Sequence, residues 1–167
     1  MFVLGIDPGL TRCGYAVLET LGPGKAKAIA LGVLRTPVDA ELPARLLLLR
    51  NELRSLIVEY RPHAVAVERV FFQANVRTAM SVGQASGLAL VEALDAGCEV
   101  AQYSPNQVKD AVAGYGAADK EQVQKMVQLR LGLAAPPRPA DAADAAALAL
   151  CHLAINPMRR KVAEAKA

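Results

Sequence analysis

The sequence contains no tryptophan, and aromatic residues make up only 4% of its 167 positions. Hydrophobic residues nevertheless account for 53% of the chain, so a core built from it must be aliphatic and rich in alanine. Charged residues are limited to 21%, which excludes disorder along most of the chain. We therefore expect a single folded domain of ordinary size.

The sequence is also poor in the side chains that build soft-metal sites. Its three cysteines, Cys13, Cys98 and Cys151, are scattered and odd in number, so they suggest neither a zinc motif nor a disulfide framework. The two histidines, His63 and His152, stand alone, and a structural role is favoured for both. Thiols without a pairing pattern are typical of a reducing compartment.

Long apolar runs are missing as well. No stretch reaches the roughly 18 uninterrupted apolar residues of a membrane span, and Asp7 and Pro8 break the first run. We therefore predict a soluble protein of the cytoplasm. The formal net charge of +3 and the pI near 8.9 are compatible with nucleic-acid binding but do not establish it.

Hydrophobic periodicity predicts the element order β-β-β-α-β-α-β-α-α-α. This order indicates an α/β domain whose five-stranded mixed sheet joins an antiparallel meander to parallel strands reached through helices. We place the domain at 1–156 and expect the basic segment 157–167 to be a flexible tail. The predicted strands are 2–7, 13–19, 26–36, 63–70 and 98–105, and the predicted helices are 41–62, 75–97, 105–112, 119–132 and 140–156.

Four carboxylates stand in otherwise apolar or alanine-rich segments. Asp7 and Glu68 each end a predicted strand, and parallel neighbouring strands would bring both to one edge of the sheet, where open α/β sheets bind ligands. Asp141 and Asp144 lie three residues apart at the start of the last helix and so share one face. Taken singly, each acid is explained about as well by a turn, a strand end or a helix start.

Together these acids predict a site for a hard divalent cation. Carboxylates a few ångströms apart raise one another's pKa values, and a divalent cation relieves that repulsion. Oxygen ligands without His or Cys suit Mg²⁺, or Mn²⁺ as the alternative. Two such ions about 3.5–4 Å apart would clamp the attacking and leaving oxygens of a phosphodiester displacement.

Four stretches resemble the bacterial RuvC Holliday junction resolvases, in that family's order and at its spacing. They cover nearly the whole chain up to about Ile155. The first alone is also similar to the strand-turns of sugar kinases and actin-like ATPases, whereas the third and fourth together are specific. They are LGIDPGLTRCGYAV, AVERVFFQANVRTAMSVGQASG, YSPNQVKDAVAGYGAADKEQVQKMV and ADAADAAALALCH.

The resemblance implies an RNase H-like fold and a metal-dependent endonuclease that resolves four-way DNA junctions in recombination and repair. It implies a homodimer making paired nicks in strands of like polarity, and a branch-migration complex of the RuvA and RuvB type as partner. The implied products carry a 5′ phosphate and a 3′ hydroxyl. Residue by residue, it assigns catalysis and metal binding to an acidic quartet: Asp7, Glu68, Asp141 and Asp144.

The resemblance also indicates DNA contacts. Phe71 matches an aromatic residue at the junction core, with its neighbour Phe72 as the alternative, and Lys109 and Lys120 match basic positions near the active site. An exposed ring can stack on an unpaired base. Ala74, Ser81, Ser86 and Ala118 stand where we expect Lys or Arg in relatives, which predicts fewer phosphate contacts and a flatter salt dependence.

Residue chemistry alone adds weaker DNA candidates. Arg77, Lys125 and Arg130 are candidate phosphate contacts, although a solvated helix face explains each as well. Gly114 and Gly116 would let the backbone approach DNA, or would simply form a flexible connection. The small residues of the predicted helix 75–97 allow close approach either to the sheet or to a second subunit.

Three alternatives from other classes remain open at this point. An actin-like or sugar-kinase ATPase shares the GIDPG turn but needs a second related domain, which 167 residues do not hold. A non-catalytic junction-binding module is disfavoured by the complete quartet. A ribonuclease H acting on RNA–DNA hybrids is the nearest enzymatic alternative.

Overall fold

The computed structural model describes residues 1–22, 24–70 and 76–164, without the side chains of 76–78 and 157–164. The element order is the predicted one. Five strands and five helices follow one another as β1 (Phe2–Asp7), β2 (Arg12–Gly22), β3 (Lys25–Arg35), α1 (Leu42–Tyr60), β4 (Ala64–Glu68), α2 (Val76–Asp95), β5 (Glu99–Tyr103), α3 (Pro105–Ala113), α4 (Lys120–Leu131) and α5 (Ala140–Glu164).

The strands form one mixed sheet in the order β3-β2-β1-β4-β5. The first three strands are antiparallel neighbours, and β4 and β5 lie parallel to β1 and to each other. The parallel register pairs Ile6 with Val67, so the next residues, which end both strands, lie at the same edge of the sheet. The predicted meander and helical crossovers are therefore confirmed.

Apolar side chains alternate along the central strands, so both faces of the sheet are apolar. Helices cover each face. Leu4, Ile6 and Val65 point into one core, which α1 and α2 close. Val3 and Ala66 point into the other core, which α3, α4 and α5 close. The buried Glu92 carboxylate of α2 accepts hydrogen bonds from Arg50 and Arg54 of α1, at 2.7 and 2.8 Å.

Helix α5 lies directly on β1 and β2 because glycine and alanine leave no side-chain bulk between them. A Cβ atom at Gly5 would lie 2.0 Å from the backbone oxygen of Ala145, and one at Gly14 would lie 2.1 Å from that of Asp141. The alanines of α5 that face the sheet are fully or almost fully buried. The alanine-rich composition therefore serves a close helix-to-sheet contact.

Several predicted element boundaries differ from the structure, most of all those of α5 and β2, while β4 and β5 are shorter than predicted. Helix α5 continues to Glu164, eight residues beyond its predicted end at 156, and flexibility of the segment 157–167 stays a prediction. Strand β2 begins at Arg12, one residue before the predicted start, and extends to Gly22. Among the described residues, no helix is both long and apolar enough to cross a bilayer.

Substituting Gly5 by alanine should destabilise the fold strongly. The added methyl group meets the backbone of α5, which cannot move without separating the helix from the sheet, so we expect a loss of about 2–3 kcal/mol or more in the free energy of unfolding. Urea denaturation measures it. Gly32→Ala is the matched control, because its methyl group meets the outer atoms of the Tyr15 ring, at 2.7 Å, and a side chain can rotate away. Equal losses in both variants would contradict this account.

Candidate active site

Two acids of the site come from the parallel strands. Asp7 ends β1 and Glu68 ends β4. They follow the paired residues Ile6 and Val67, which places both at the same edge of the sheet. Apart from the half-buried Phe2, both strands are buried up to their last residue, so the two carboxylates mark the point where an apolar layer meets solvent.

The other two acids come from the first turns of α5. Asp141 and Asp144 are three residues apart and share one helical face. Gly14, the register partner of Asp7 on β2, lies against the backbone of Asp141. The close contact of α5 with β2 therefore brings the helix acids to the strand acids.

All four carboxylates line one cavity of about 450 Å³. Helices α3, α4 and α5 provide the remaining walls, so the acids face both basic and apolar side chains. The lining residues are Asp7, Glu68, Pro105, Val108, Lys109, Lys120, Val123, Asp141, Asp144, Ala147 and Leu148. This convergence joins segments that are far apart in the sequence.

Burial and mutual repulsion make the strand acids reluctant to ionise. Burial, followed by the charges of Glu68, Asp144 and Asp141, raises the pKa of Asp7 to about 7. Burial and then the charge of Asp144 also raise the pKa of Glu68. Perturbed carboxylates in a cleft are typical of functional sites.

Two cations bond the helix acids. The Lys120 ammonium lies 2.7 Å from Oδ2 of Asp144, and this hydrogen bond raises the pKa of Lys120. The Arg12 guanidinium bonds the Asp141 carboxylate. Within the described ranges, no three or more His, Cys, Asp or Glu side chains are already placed so that they could hold a metal ion together. Asp141 and Asp144 would have to leave their cationic partners to ligate one.

The donor set nevertheless fits a hard divalent cation. The cavity gathers four carboxylates, and oxygen donors of this kind suit Mg²⁺ and Mn²⁺. Burial, followed by the charges of the neighbouring carboxylates, raises the pKa of Asp7, and a divalent cation would favour its ionised form. The residues present therefore match the cofactor that the sequence predicts.

The family model described as "Crossover junction endodeoxyribonuclease RuvC" matches residues 3–152. The chain belongs to this RuvC family. A curated RuvC of Salinispora arenicola is 53% identical over 165 residues, which cover 99% of this chain and 94% of that relative. A RuvC of Syntrophomonas wolfei is 52% identical over 153 residues, covering 92% of this chain and 88% of the relative.

Solved structures agree with the RuvC assignment. The Thermus thermophilus RuvC in complex with a Holliday junction substrate superimposes with a TM-score of 0.90 at 41% identity, covering 95% of this chain and 96% of that one. The yeast mitochondrial resolvase Ydc2 has a TM-score of 0.69 at 14% identity, covering 95% of this chain and 82% of that one, which shows a shared fold. The predicted RNase H-like fold is confirmed, and the ATPase alternative is wrong.

The structure separates the candidate DNA contacts of this RuvC chain. Lys109 and Lys120 line the acidic cavity. Lys125 is exposed on α4, whereas the guanidinium of Arg130 donates to the backbone oxygen of Ala111 at 2.9 Å and so serves to join α4 to α3. Outside the described residues or side chains lie Phe71, Phe72, Ala74 and the Arg77 side chain, so their DNA roles stay predictions.

Both candidate glycines have a local structural reason. Gly114 ends α3 in the left-handed conformation with φ 89°, where glycine avoids a steric penalty. A Cβ atom at Gly116 would lie 3.0 Å from a carboxylate oxygen of Asp110. Ala118 and Ser86 are buried, and a missing phosphate contact at these two positions stays a prediction. A DNA contact by Gly114 or Gly116 stays a prediction.

Sequence reasoning missed the contact of Arg12 with Asp141. The pairing of Arg12 with Asp141 joins residues 129 apart in the sequence, and no local pattern announces such a contact. A signal was nevertheless present, since Arg12 is the only basic residue before Lys25 and follows the Asp7 turn.

Asp7 should make the metal-free protein less stable as pH rises. Its folded pKa lies near 7, above the ordinary 3.8, so its contribution to stability is full below about pH 4 and is lost as pH rises through about 7. Asp7→Asn should therefore raise the free energy of unfolding at pH 8 by on the order of 2–4 kcal/mol, and have little effect at pH 4. Denaturation in EDTA at both pH values measures this.

The exposed Asp39 offers the matched control. Asp39→Asn removes a carboxylate outside the cavity and should leave the pH dependence of wild type in place. If the free energy of unfolding of Asp7→Asn had the same pH dependence as that of wild type, the electrostatic description of the site would be wrong.

Proposed function

We propose that this chain cuts four-way DNA junctions by hydrolysing phosphodiester bonds at the acidic cavity. The observation that carries the proposal is the convergence of Asp7, Glu68, Asp141 and Asp144 beside Lys109 and Lys120 in a RuvC-family chain. A Thermus thermophilus relative has been solved in complex with a Holliday junction substrate, which supports the same substrate for this chain.

The four acids would hold Mg²⁺, or Mn²⁺, and two ions per site suit the number of carboxylates. When bound, such ions lower the pKa of water and neutralise charge that develops on phosphate and leaving oxygen. Asp7 and Glu68 fix the position of the site, because each ends a buried strand of the central sheet. Asp141 and Asp144 complete the ligand set from a helix held against that sheet.

The basic and apolar walls would handle the DNA strand. Lys109 and Lys120 face the acids across the cavity and provide positive charge for the phosphates on either side of the cut. Val108, Val123 and Leu148 form an apolar wall that limits the access of bulk water. The Lys120 ammonium bonds Asp144 when neither metal nor DNA is bound. It therefore also reduces the repulsion among the four acids before DNA binds.

Asp7→Asn should abolish cutting while leaving junction binding in place. The amide keeps the shape of the side chain but removes a negative charge that a divalent cation needs, so we expect cleavage to fall by about 100-fold or more. Cleavage of a synthetic four-way junction, with Mg²⁺ or Mn²⁺, measures activity, and gel shift in EDTA measures binding.

The same assay discriminates the alternatives through its substrates. A plain duplex and an RNA–DNA hybrid accompany the junction, and Asp39→Asn serves as the exposed-acid control with wild-type activity. Preferred cutting of the hybrid would favour the ribonuclease H alternative. Binding without cutting by wild type would favour a non-catalytic module. Normal cutting by Asp7→Asn would contradict the assignment of the quartet.

We further propose a homodimer formed through α2. Its small residues divide into two sets, because Ala85, Ser86 and Ala89 are buried against the domain's own core. Cβ atoms at Gly83 and Gly87 would meet nothing within 4 Å. The exposed apolar residues Met80, Val91 and Leu94 lie on the same helical stripe as these glycines.

Such a stripe fits a second copy of α2, because small residues let two helices approach closely. A two-fold dimer would present two identical cavities to a near-symmetric junction and permit paired nicks. The other family-implied features remain predictions: stacking by Phe71, a RuvA- and RuvB-type branch-migration partner, and a cytoplasmic location.

Val91→Glu should convert the dimer to a monomer. The charge is placed in the middle of the proposed contact, where desolvating it is costly. Sedimentation measures the association state, and paired nicking of a junction in one binding event should become single nicking. Leu129→Glu is the matched control, since Leu129 is 62% exposed on α4 and lies outside the stripe. A monomeric wild type, or a Val91→Glu dimer, would contradict the proposed contact.

A further inference from the structure

Arg12 carries a charge that the proposed function does not use. It begins β2, lies next to the cavity, and bonds Asp141. We infer that Arg12 is a phosphate-binding residue of this active site, held on Asp141 until a divalent cation takes that carboxylate. The inference rests on the proposed function, because it concerns the DNA and the cation of that same site.

The backbone places Arg12 at the acids by close contact. The turn after Asp7 is so tight that a Cβ atom at Gly9 would lie 2.1 Å from the backbone oxygen of Arg12. Two residues later, Gly14 lies against the backbone of Asp141. The backbone that carries the Arg12 side chain is therefore closely packed on both sides, at the turn after Asp7 and at Asp141.

Hydrogen bonds that begin at Arg45 on α1 stabilise the segment just before Arg12. The Arg45 guanidinium donates to the hydroxyl of Thr36 at 2.9 Å and to that of Thr11 at 2.7 Å. The buried Thr36 hydroxyl donates in turn to the backbone oxygen of Leu10 at 2.6 Å. The residues just before Arg12 are thus held, while the Arg12 side chain itself is 42% exposed and able to turn towards solvent.

Charge balance gives the reason for the exchange. Arg12 and Lys120 neutralise two of the four carboxylates while no metal is bound. Two divalent cations would match all four acids, and the guanidinium and the ammonium would then be in excess. Positive charge in excess beside a cleft is what a DNA phosphate requires, and a guanidinium is well suited to phosphate oxygens.

The test measures junction affinity with and without a divalent cation. A fluorescently labelled four-way junction is titrated with wild type or Arg12→Gln, in EDTA or in Ca²⁺, over a range of salt concentrations. Ca²⁺ accepts the same oxygen ligands as Mg²⁺. A denaturing gel confirms that the strands stay intact during the measurement, and thermal denaturation confirms that each variant is folded.

We expect Arg12→Gln to bind like wild type in EDTA and on the order of tenfold more weakly in Ca²⁺. The slope of log affinity against log salt should fall by about 0.9 in Ca²⁺ alone, because one phosphate contact is lost. Arg12→Lys should retain the wild-type slope, since it keeps the charge. Arg35→Gln is the matched control, as Arg35 is the exposed cross-strand partner of Arg12, and any effect should be the same in both buffers.

Asp141→Asn gives an independent route to the same state. It releases Arg12 without a cation, so adding Arg12→Gln to this background should weaken binding in EDTA as much as it does in Ca²⁺ for the wild-type background. This comparison remains informative if the single Arg12→Gln variant is unstable.

Distinct results overturn the inference and the proposed function. If Arg12→Gln lost the same junction affinity in EDTA and in Ca²⁺, or lost none in either, the inference would be wrong. Arg12 would then act only as an ordinary surface charge or as a structural residue. A wild type that binds the junction no better than a plain duplex would instead overturn the proposed function.

Discussion

The contact between α5 and the central strands is the constraint on which the site depends. Gly5 and Gly14 let the helix backbone approach to a distance that any β-carbon would prevent. Alanine in place of larger residues on α5 maintains this spacing along the helix. Since two acids come from the strands and two from the helix, the width of this interface sets the width of the acidic cavity.

That arrangement concentrates negative charge in a partly buried cleft, where ionised carboxylates do not stabilise the fold. Burial, followed by the charges of the three neighbouring carboxylates, raises the pKa of Asp7 to about 7, so its ionised form is costly in this cleft. Lys120 and Arg12 offset part of this cost in the metal-free protein. The site is therefore preorganised but strained electrostatically, as expected where stability is sacrificed for binding.

Much of the fold was predictable because it depends on local signals. Alternating apolar residues and helical spacing determine the strands and helices, and the parallel pairing of β1 with β4 follows from the α1 crossover. The acidic quartet was predictable because carboxylates at the ends of apolar strands are chemically conspicuous.

The features that were missed depend on long-range packing. The Arg12–Asp141 pair and the hydroxyl network of Arg45 join segments whose proximity exists only once α1 and α5 are in place. Burial of Ala118 is equally invisible to a local pattern, since alanine suits both surface and core. In the sequence Arg130 looked like a surface charge, but its guanidinium donates a hydrogen bond to the backbone of the neighbouring helix α3.

The pairing of Ile6 with Val67 also limits how the length of this chain can change during evolution. Inserting or deleting one residue within β1 or β4 would turn every following side chain to the opposite face and carry Asp7 or Glu68 towards the wrong core. The segments 37–41 and 133–139, which lie between elements, are under no such restriction. Gaps among homologous chains should therefore gather there, while the strands that end in Asp7 and Glu68 keep a constant length.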